Sequence, residues 1–131
     1  MDWSECIKKD IVKDVNIDKN KISSIRKISD EKIKSANILP EDHIISIISL
    51  LYDALRELLE AKSLENGFKI YNHECYSSFL KEVLNKPEEA TLFNELRKIR
   101  NGINYYGREI KKEESVYIID SLKKLIQKFR N

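Results

Sequence analysis

Along most of this chain apolar residues recur at intervals of three and four, the spacing of one helical face. Trp3, Ile7, Ile11 and Val15, with Cys6 beside them, predict a helix over residues 3–15. Ile22, Ile25, Ile28, Ile33 and Ala36 predict a second from near Asp18 to about Asn37. Ile38-Leu39-Pro40 ends it, because a residue before proline disfavours the helical conformation, and Pro40-Glu41-Asp42 suits the first turn of the next. Residues 41–65 carry the widest apolar arc: Ile44, Ile48, Leu51, Leu55 and Leu58 form one stripe, and Ile45, Ile47, Leu50, Ala54, Leu59 and Ala61 widen it. Ser46, Ser49, Asp53, Arg56, Glu57 and Glu60 are left on one narrow face. A helix so patterned packs on several sides and sits at the centre of a bundle. Asn66-Gly67 is its stop signal.

Phe68 to Tyr71 reads as a short extended piece, after which Asn72 caps a helix with Glu74 in its first turn. That helix buries Cys75, Phe79, Leu80 and Val83 and ends before Pro87. From residue 88 to about 108, Leu92, Leu96, Ile99, Ile103, Tyr106 and Ile110 form a stripe that assigns Tyr106 to the core. The stripe carries the helix through Gly102, although an interior glycine costs about 1 kcal/mol against alanine. Gly102 leaves room for a ligand or for a tight helix crossing, and Gly107 suits the C-cap. A last helix over residues 112–130 turns Val116, Ile119, Leu122, Ile126 and Phe129 inward. The expected fold is all-α, an up-and-down bundle of five or six helices. It forms a single domain over residues 1–131, of which 1–17 are an N-terminal helical extension.

Composition narrows the classes. With 131 residues, three glycines and two prolines, there is chain for one sizeable core but few breakers for a β sandwich or barrel. No run of about 18 apolar residues is present, so no membrane helix is expected. The N-terminus lacks the basic-then-apolar order of a signal peptide. Cys6 and Cys75 form no framework, and reduced thiols in a cytoplasmic protein are expected. His43, expected exposed in a first helical turn, His73 and the two cysteines show no metal-ligand spacing; no metal and no cofactor is expected.

Charge is uneven. Residues 97–131 hold ten basic and four acidic residues, whereas residues 40–65 hold two and six. The density peaks over residues 97–112, where six basic residues stand against Glu109 alone. Helical spacing places Asn94, Arg97, Asn101, Tyr105 and Arg108 behind the apolar stripe, with Arg100 and Asn104 alongside. Guanidinium forks and planar amides in this number suit a phosphate-bearing partner, RNA or a nucleotide, and no membrane. Arg97, Arg100, Asn104 and Arg108 are the candidate binding residues. The C-terminal Lys123, Lys124, Lys128 and Arg130 read as a solvated surface.

Arg100-Asn101-Gly102-Ile103-Asn104-Tyr105-Tyr106 resembles the motif of HEPN domains (higher eukaryotes and prokaryotes nucleotide-binding), in which Arg and a polar residue are followed by His after four to six residues. The preceding helix with Leu51-Tyr52-Asp53-Ala54-Leu55-Arg56-Glu57-Leu58-Leu59, ending in Gly67, and the passage Phe68 to Cys75 are similar to archaeal members, so the likeness spans about residues 18–130. It implies a homodimer with two Arg motifs facing one cleft. It also implies a metal-independent endoribonuclease of the toxin type, paired with a minimal nucleotidyltransferase antitoxin. In that chemistry the ribose 2′-OH attacks the adjacent phosphate, so Arg100 would bind phosphate, Asn101 would orient, and a histidine would move protons. Tyr105 stands where that histidine would be, and a phenol with a pKa of about 10 is a poor base beside an imidazole near 6.5. Tyr105 can instead donate a hydrogen bond or stack on a base. Gly107 occupies the place of the tyrosine that the antitoxin modifies in such pairs. His73, next to Glu74, reads first as a surface or capping residue and second as a substitute base. The competing reading is a non-catalytic helical module that binds a nucleotidyltransferase or another protein. A DNA-reading helix-turn-helix ranks below both, because the helix from residue 88 has no free basic N-terminal end.

Overall fold

The computed structural model describes residues 1–130; Asn131, the last residue of the expected domain, lies outside the described residues. The chain is an all-α bundle, with six α-helices and one small two-stranded sheet among the described residues. In order these are α1 (Trp3–Lys8), β1 (Val12–Asp14), α2 (Lys19–Ile38), α3 (Ile44–Glu65), β2 (Phe68–Ile70), α4 (Glu74–Ser78), α5 (Pro87–Tyr106) and α6 (Lys112–Phe129). A π-helical turn, Phe79–Val83, continues α4.

Helix α3 is the hub, packed against α2, α6, α5 and β2. Its wide apolar arc buries Ile47, Ile48, Leu51, Tyr52, Leu55, Leu58 and Leu59, and each such aliphatic side chain contributes about 1.5–3 kcal/mol on burial. Polar links fix the register of α2 on α3. Ser29 donates from its buried Oγ to the Ala54 carbonyl at 2.9 Å, and Lys32 pairs with the buried Glu57 at 2.7 Å. Asp18 caps α2 by accepting from the Lys21 amide at 3.1 Å, which explains its start.

The helix expected over residues 3–15 stops at Lys8. Asp10 adopts φ 57°, and Val12–Asp14 pairs antiparallel with Phe68–Ile70, Val12 opposite Ile70. The β-branched Ile11, Val12 and Val15 favour the extended form once a partner strand is available. The short N-terminal stretch is thus built into the bundle rather than appended to it. Trp3 packs edge-on to Phe68 with centroids 5.2 Å apart, its amide donates to Glu82 at 2.7 Å, and Cys6 is fully buried.

Cys6 and Cys75 correct the expectation of free thiols: they form a disulfide, with Cα atoms 6.2 Å apart across a sequence separation of 69. Spacing in the sequence could not reveal it, because only the packing of α1 on α4 brings the two together. Bonded, these cysteines no longer speak for a reducing surrounding. Among the described residues no helix is long and apolar enough to cross a membrane.

Several positions of the apolar stripes also differ from expectation, and Ile7, Ile28 and Ile45 are exposed. Tyr106 is 85% exposed, because the last turn of α5 runs past the body of the bundle, where even Ile103 is only half-buried. On α6 the inward face is rotated by about one position: Ser115 and Ile118 are buried while Val116 is exposed.

Candidate functional site

Two helices and one helix start converge on a single polar cluster. Helix α3 supplies Tyr52 and Arg56, four residues apart and so on one face, with Asp53 beside them. Helix α5 supplies Arg97 and Arg100, also neighbours on one face. Gly67 turns the chain at φ 82° after α3, and β2 then leads to Asn72, whose side chain accepts from the Glu74 amide at 2.8 Å. The N-cap is thus His73 rather than the expected Asn72, whose turn leads into the head of α4.

Tyr52 is the centre. Its ring lies nearly parallel to Phe93 at 5.9 Å, its hydroxyl is 3.1 Å from His73 Nδ1, and the Arg100 guanidinium carbon is 5.1 Å from its centroid. The same guanidinium lies 5.9 Å from the Tyr105 ring, a cation held between two aromatic side chains. Arg100 meets Asp53 only loosely, at 3.8 Å, and its buried Nε has no hydrogen-bond partner among the described residues. Arg97 donates to the Asn94 side-chain oxygen Oδ1 on its own helix, from Nε at 3.3 Å and from a terminal nitrogen at 2.9 Å. Arg56 stands 3.9 Å from Glu60, which Lys69 holds more closely at 3.0 Å.

The electrostatics follow from burial beneath a cationic rim. Desolvation holds the His73 imidazole down to about 4; Arg56, Arg100 and Arg97 push the same way and Asp53 opposes them. Burial pushes the Tyr52 phenol up to about 12, against the pull of Arg100, Arg97 and Arg56. Tyr76, beside Arg56 and Glu60, is raised as well, chiefly by burial. At neutral pH His73 is therefore uncharged and Tyr52 keeps its proton. If the Tyr52 hydroxyl donates to Nδ1, the imidazole proton sits on Nε2; if Nδ1–H donates, Nε2 is a free acceptor. Permanent cations beside a neutral imidazole can bind an anion, and the imidazole gains basicity only as the bound anion offsets those cations.

Of the residues singled out from sequence, the fold brings together Arg97, Arg100, Tyr105 and His73. His73 occupies an N-cap position but makes no side-chain cap hydrogen bond, and its ring turns to Tyr52 instead. Asn101 is half-buried and Asn104 exposed on neighbouring faces of α5. Arg108 is not part of the cluster: it pairs with Glu114 at the start of α6. A Cβ at Gly102 would meet only that Arg108 side chain, at 3.2 Å to Cδ, so among the described residues no second helix crosses closely at Gly102. Gly107 is the left-handed C-cap that its position suggested, with φ 63°.

Sequence reasoning missed Tyr52, Asp53 and Arg56 as members of the site. The available signal was a Tyr-Asp and an Arg set four residues apart in an otherwise apolar central helix. No model of a protein family matches this chain, nor does any characterised protein or solved structure.

Proposed function

We propose that this protein binds RNA or a nucleotide through phosphate contacts at the Arg56, Arg97 and Arg100 cluster, as a HEPN-like protein. One observation carries the reading: three guanidiniums act on an uncharged Tyr52–His73 pair while Arg100, over the Tyr52 ring, retains a buried Nε without a partner among the described residues. An arginine placed only for stability would be expected to spend its donors on close carboxylates, whereas Arg100 has one at 3.8 Å. Tyr105, 68% exposed and beside Arg100, offers a stacking surface for a base.

In this reading Arg100 and Arg97 bind phosphate, Tyr105 stacks, and His73 takes the proton-transfer role once the bound phosphate offsets the cations that lower its basicity. Ribonuclease action would then pass through His73, oriented by Tyr52, with Arg100 stabilising charge on the phosphoryl oxygens. The homodimer and the nucleotidyltransferase partner rest on the family resemblance alone.

The test is binding of a labelled single-stranded RNA, followed by fluorescence anisotropy at two salt concentrations. Arg100→Ala should lose binding at least tenfold while its helical circular dichroism is retained, and wild-type affinity should fall as salt rises. Cleavage of the same RNA, abolished by His73→Gln, would establish the catalytic form. Loss of fold in Arg100→Ala, with Arg97→Gln binding normally, would make Arg100 structural and refute the reading.

A second reading, the non-catalytic interaction module, is favoured by a different observation. Tyr105, Tyr106, Val116 and Tyr117 are all large side chains exposed at the C-terminal part of α5 and the first turns of α6. Capture of a defined protein partner that Tyr106→Ser abolishes, with no RNA binding by the pure chain, would select it.

A further inference from the structure

Resting on the phosphate-binding reading above, we infer that the cluster selects a phosphate monoester, the doubly charged terminal group of a nucleotide or of an oligonucleotide end, over the singly charged phosphodiester inside a strand. The charge balance of the cluster carries this. Arg56, Arg97 and Arg100 each bring a permanent positive charge, and among the described residues two carboxylates lie within ion-pair distance of them. Asp53 faces Arg100 at 3.8 Å and offsets one of the three. Glu60 lies 3.9 Å from Arg56, but the Lys69 ammonium at 3.0 Å matches it. His73 and Tyr52 are uncharged at neutral pH. The cluster is thus left with two unmatched positive charges.

A phosphate monoester carries about −1.5 to −2 at pH 7 and three acceptor oxygens, and so can satisfy both. A phosphodiester carries a single charge and two free oxygens. It leaves one guanidinium short of a counter-charge in a half-buried setting, where a missing ionic hydrogen bond is felt most. The Arg100 side chain is 18% exposed and Arg56 26% exposed, so water screens the deficit only in part. Tyr105 adds a stacking face next to Arg100, so a base attached to the phosphate should bind better than inorganic phosphate alone.

The test compares ligands that differ in one feature. Adenosine 5′-monophosphate, its phosphate methyl ester, adenosine and inorganic phosphate are titrated by calorimetry at pH 7.5 in low salt. A five-residue oligoadenylate is titrated with and without a 5′-phosphate. The monophosphate should bind at least roughly tenfold more tightly than its methyl ester, the difference one ionic hydrogen bond makes. Arg97→Gln, and Arg100→Gln where it folds, should erase that preference, and Tyr105→Ala should erase the advantage over inorganic phosphate. A preference shown by the mononucleotide but not by the oligonucleotide assigns the site to free nucleotides; the reverse assigns it to strand ends. Equal binding of monophosphate and methyl ester, together with equal binding of the two oligonucleotides, overturns the inference and leaves the RNA-binding reading standing. Absence of binding by every ligand, the phosphorylated oligonucleotide included, removes both.

Discussion

Breaking the Cys6–Cys75 bond is the perturbation whose size the structure predicts most directly. The bond closes a loop of 69 residues, more than half of the chain, so its main effect is to restrict the unfolded state. With the loop-entropy relation, −2.1 − 1.5R ln n, a loop of this length corresponds to about 4 kcal/mol at 25 °C. Whole domains have stabilities of about 5–15 kcal/mol, so the reduced protein should be marginal. Both sulfurs are fully buried, and reductant should therefore act only as the native state opens. The assay is urea unfolding followed by circular dichroism, with and without phosphine reductant, and with Cys6→Ala/Cys75→Ala as a non-reducible control. Reduction and the double variant should each lower the midpoint by an amount equivalent to about 3–5 kcal/mol, and reductant should leave the double variant unchanged. A shift below about 1 kcal/mol would refute the entropic reasoning. Two alkylatable thiols in the unfolded, unreduced protein would refute the bond itself.

Three further perturbations test separate parts of the fold. The His73 pKa is about 4 in the folded state against about 6.5 unfolded, so the unfolded chain takes up the proton first and stability is lost as pH falls from about 6.5 towards 4. Allowing for partial solvent exposure, wild type should lose on the order of 1–3 kcal/mol more than His73→Gln across that window in pH-dependent urea unfolding, and parallel profiles would refute the shift. Gly107→Ala should cost about 1 kcal/mol because its φ of 63° is left-handed, whereas Gly102→Ala should be neutral or stabilising by up to about 1 kcal/mol since only the flexible Arg108 side chain must move; thermal melts giving the opposite order would contradict the two assignments. Tyr52→Phe should cost about 1 kcal/mol and alter the His73 titration followed by NMR; an unchanged titration would show that the hydroxyl does not hold the imidazole.

Periodicity made the long helices legible because each buries a continuous face. Residues 19–38, 44–65, 87–106 and 112–129 all fall within a few positions of their expected bounds. It failed where burial is set by something other than the helix itself. Ile7, Ile11 and Val15 satisfy a helical interval, yet the strand wins beyond Lys8 because Phe68–Ile70 offers backbone partners that local spacing cannot announce. Tyr106 satisfies the interval too, but a stripe says which side of a helix is apolar and not how far the rest of the bundle extends along it. The disulfide is the extreme case, a contact between positions that share no pattern at all.

The candidate site shows the same division between local and non-local information, with a consequence for where its chemistry resides. Arg97 and Arg100 stood out because cations crowd one short stretch of α5. Tyr52 and Arg56 did not, since on α3 Arg56 is one of several residues of an ordinary polar face and Tyr52 borders that face. Only the packing of α5 on α3 turns Arg100 towards Tyr52, and the Asn72 turn before α4 sets His73 against the same hydroxyl. A histidine at position 105 would be an exposed base on the last turn of α5. His73 is half-buried, held by Tyr52, and attached through Cys75 to the disulfide that fixes α1 on α4. Reduction of that bond should therefore loosen the imidazole before it unfolds the bundle, because His73 lies two residues from Cys75 while Arg97 and Arg100 are carried on the separate helix α5. Under partial reduction, any cleavage that depends on His73 should fall while phosphate binding through the arginines persists. Loss of both in parallel would place the two functions in one cooperative unit.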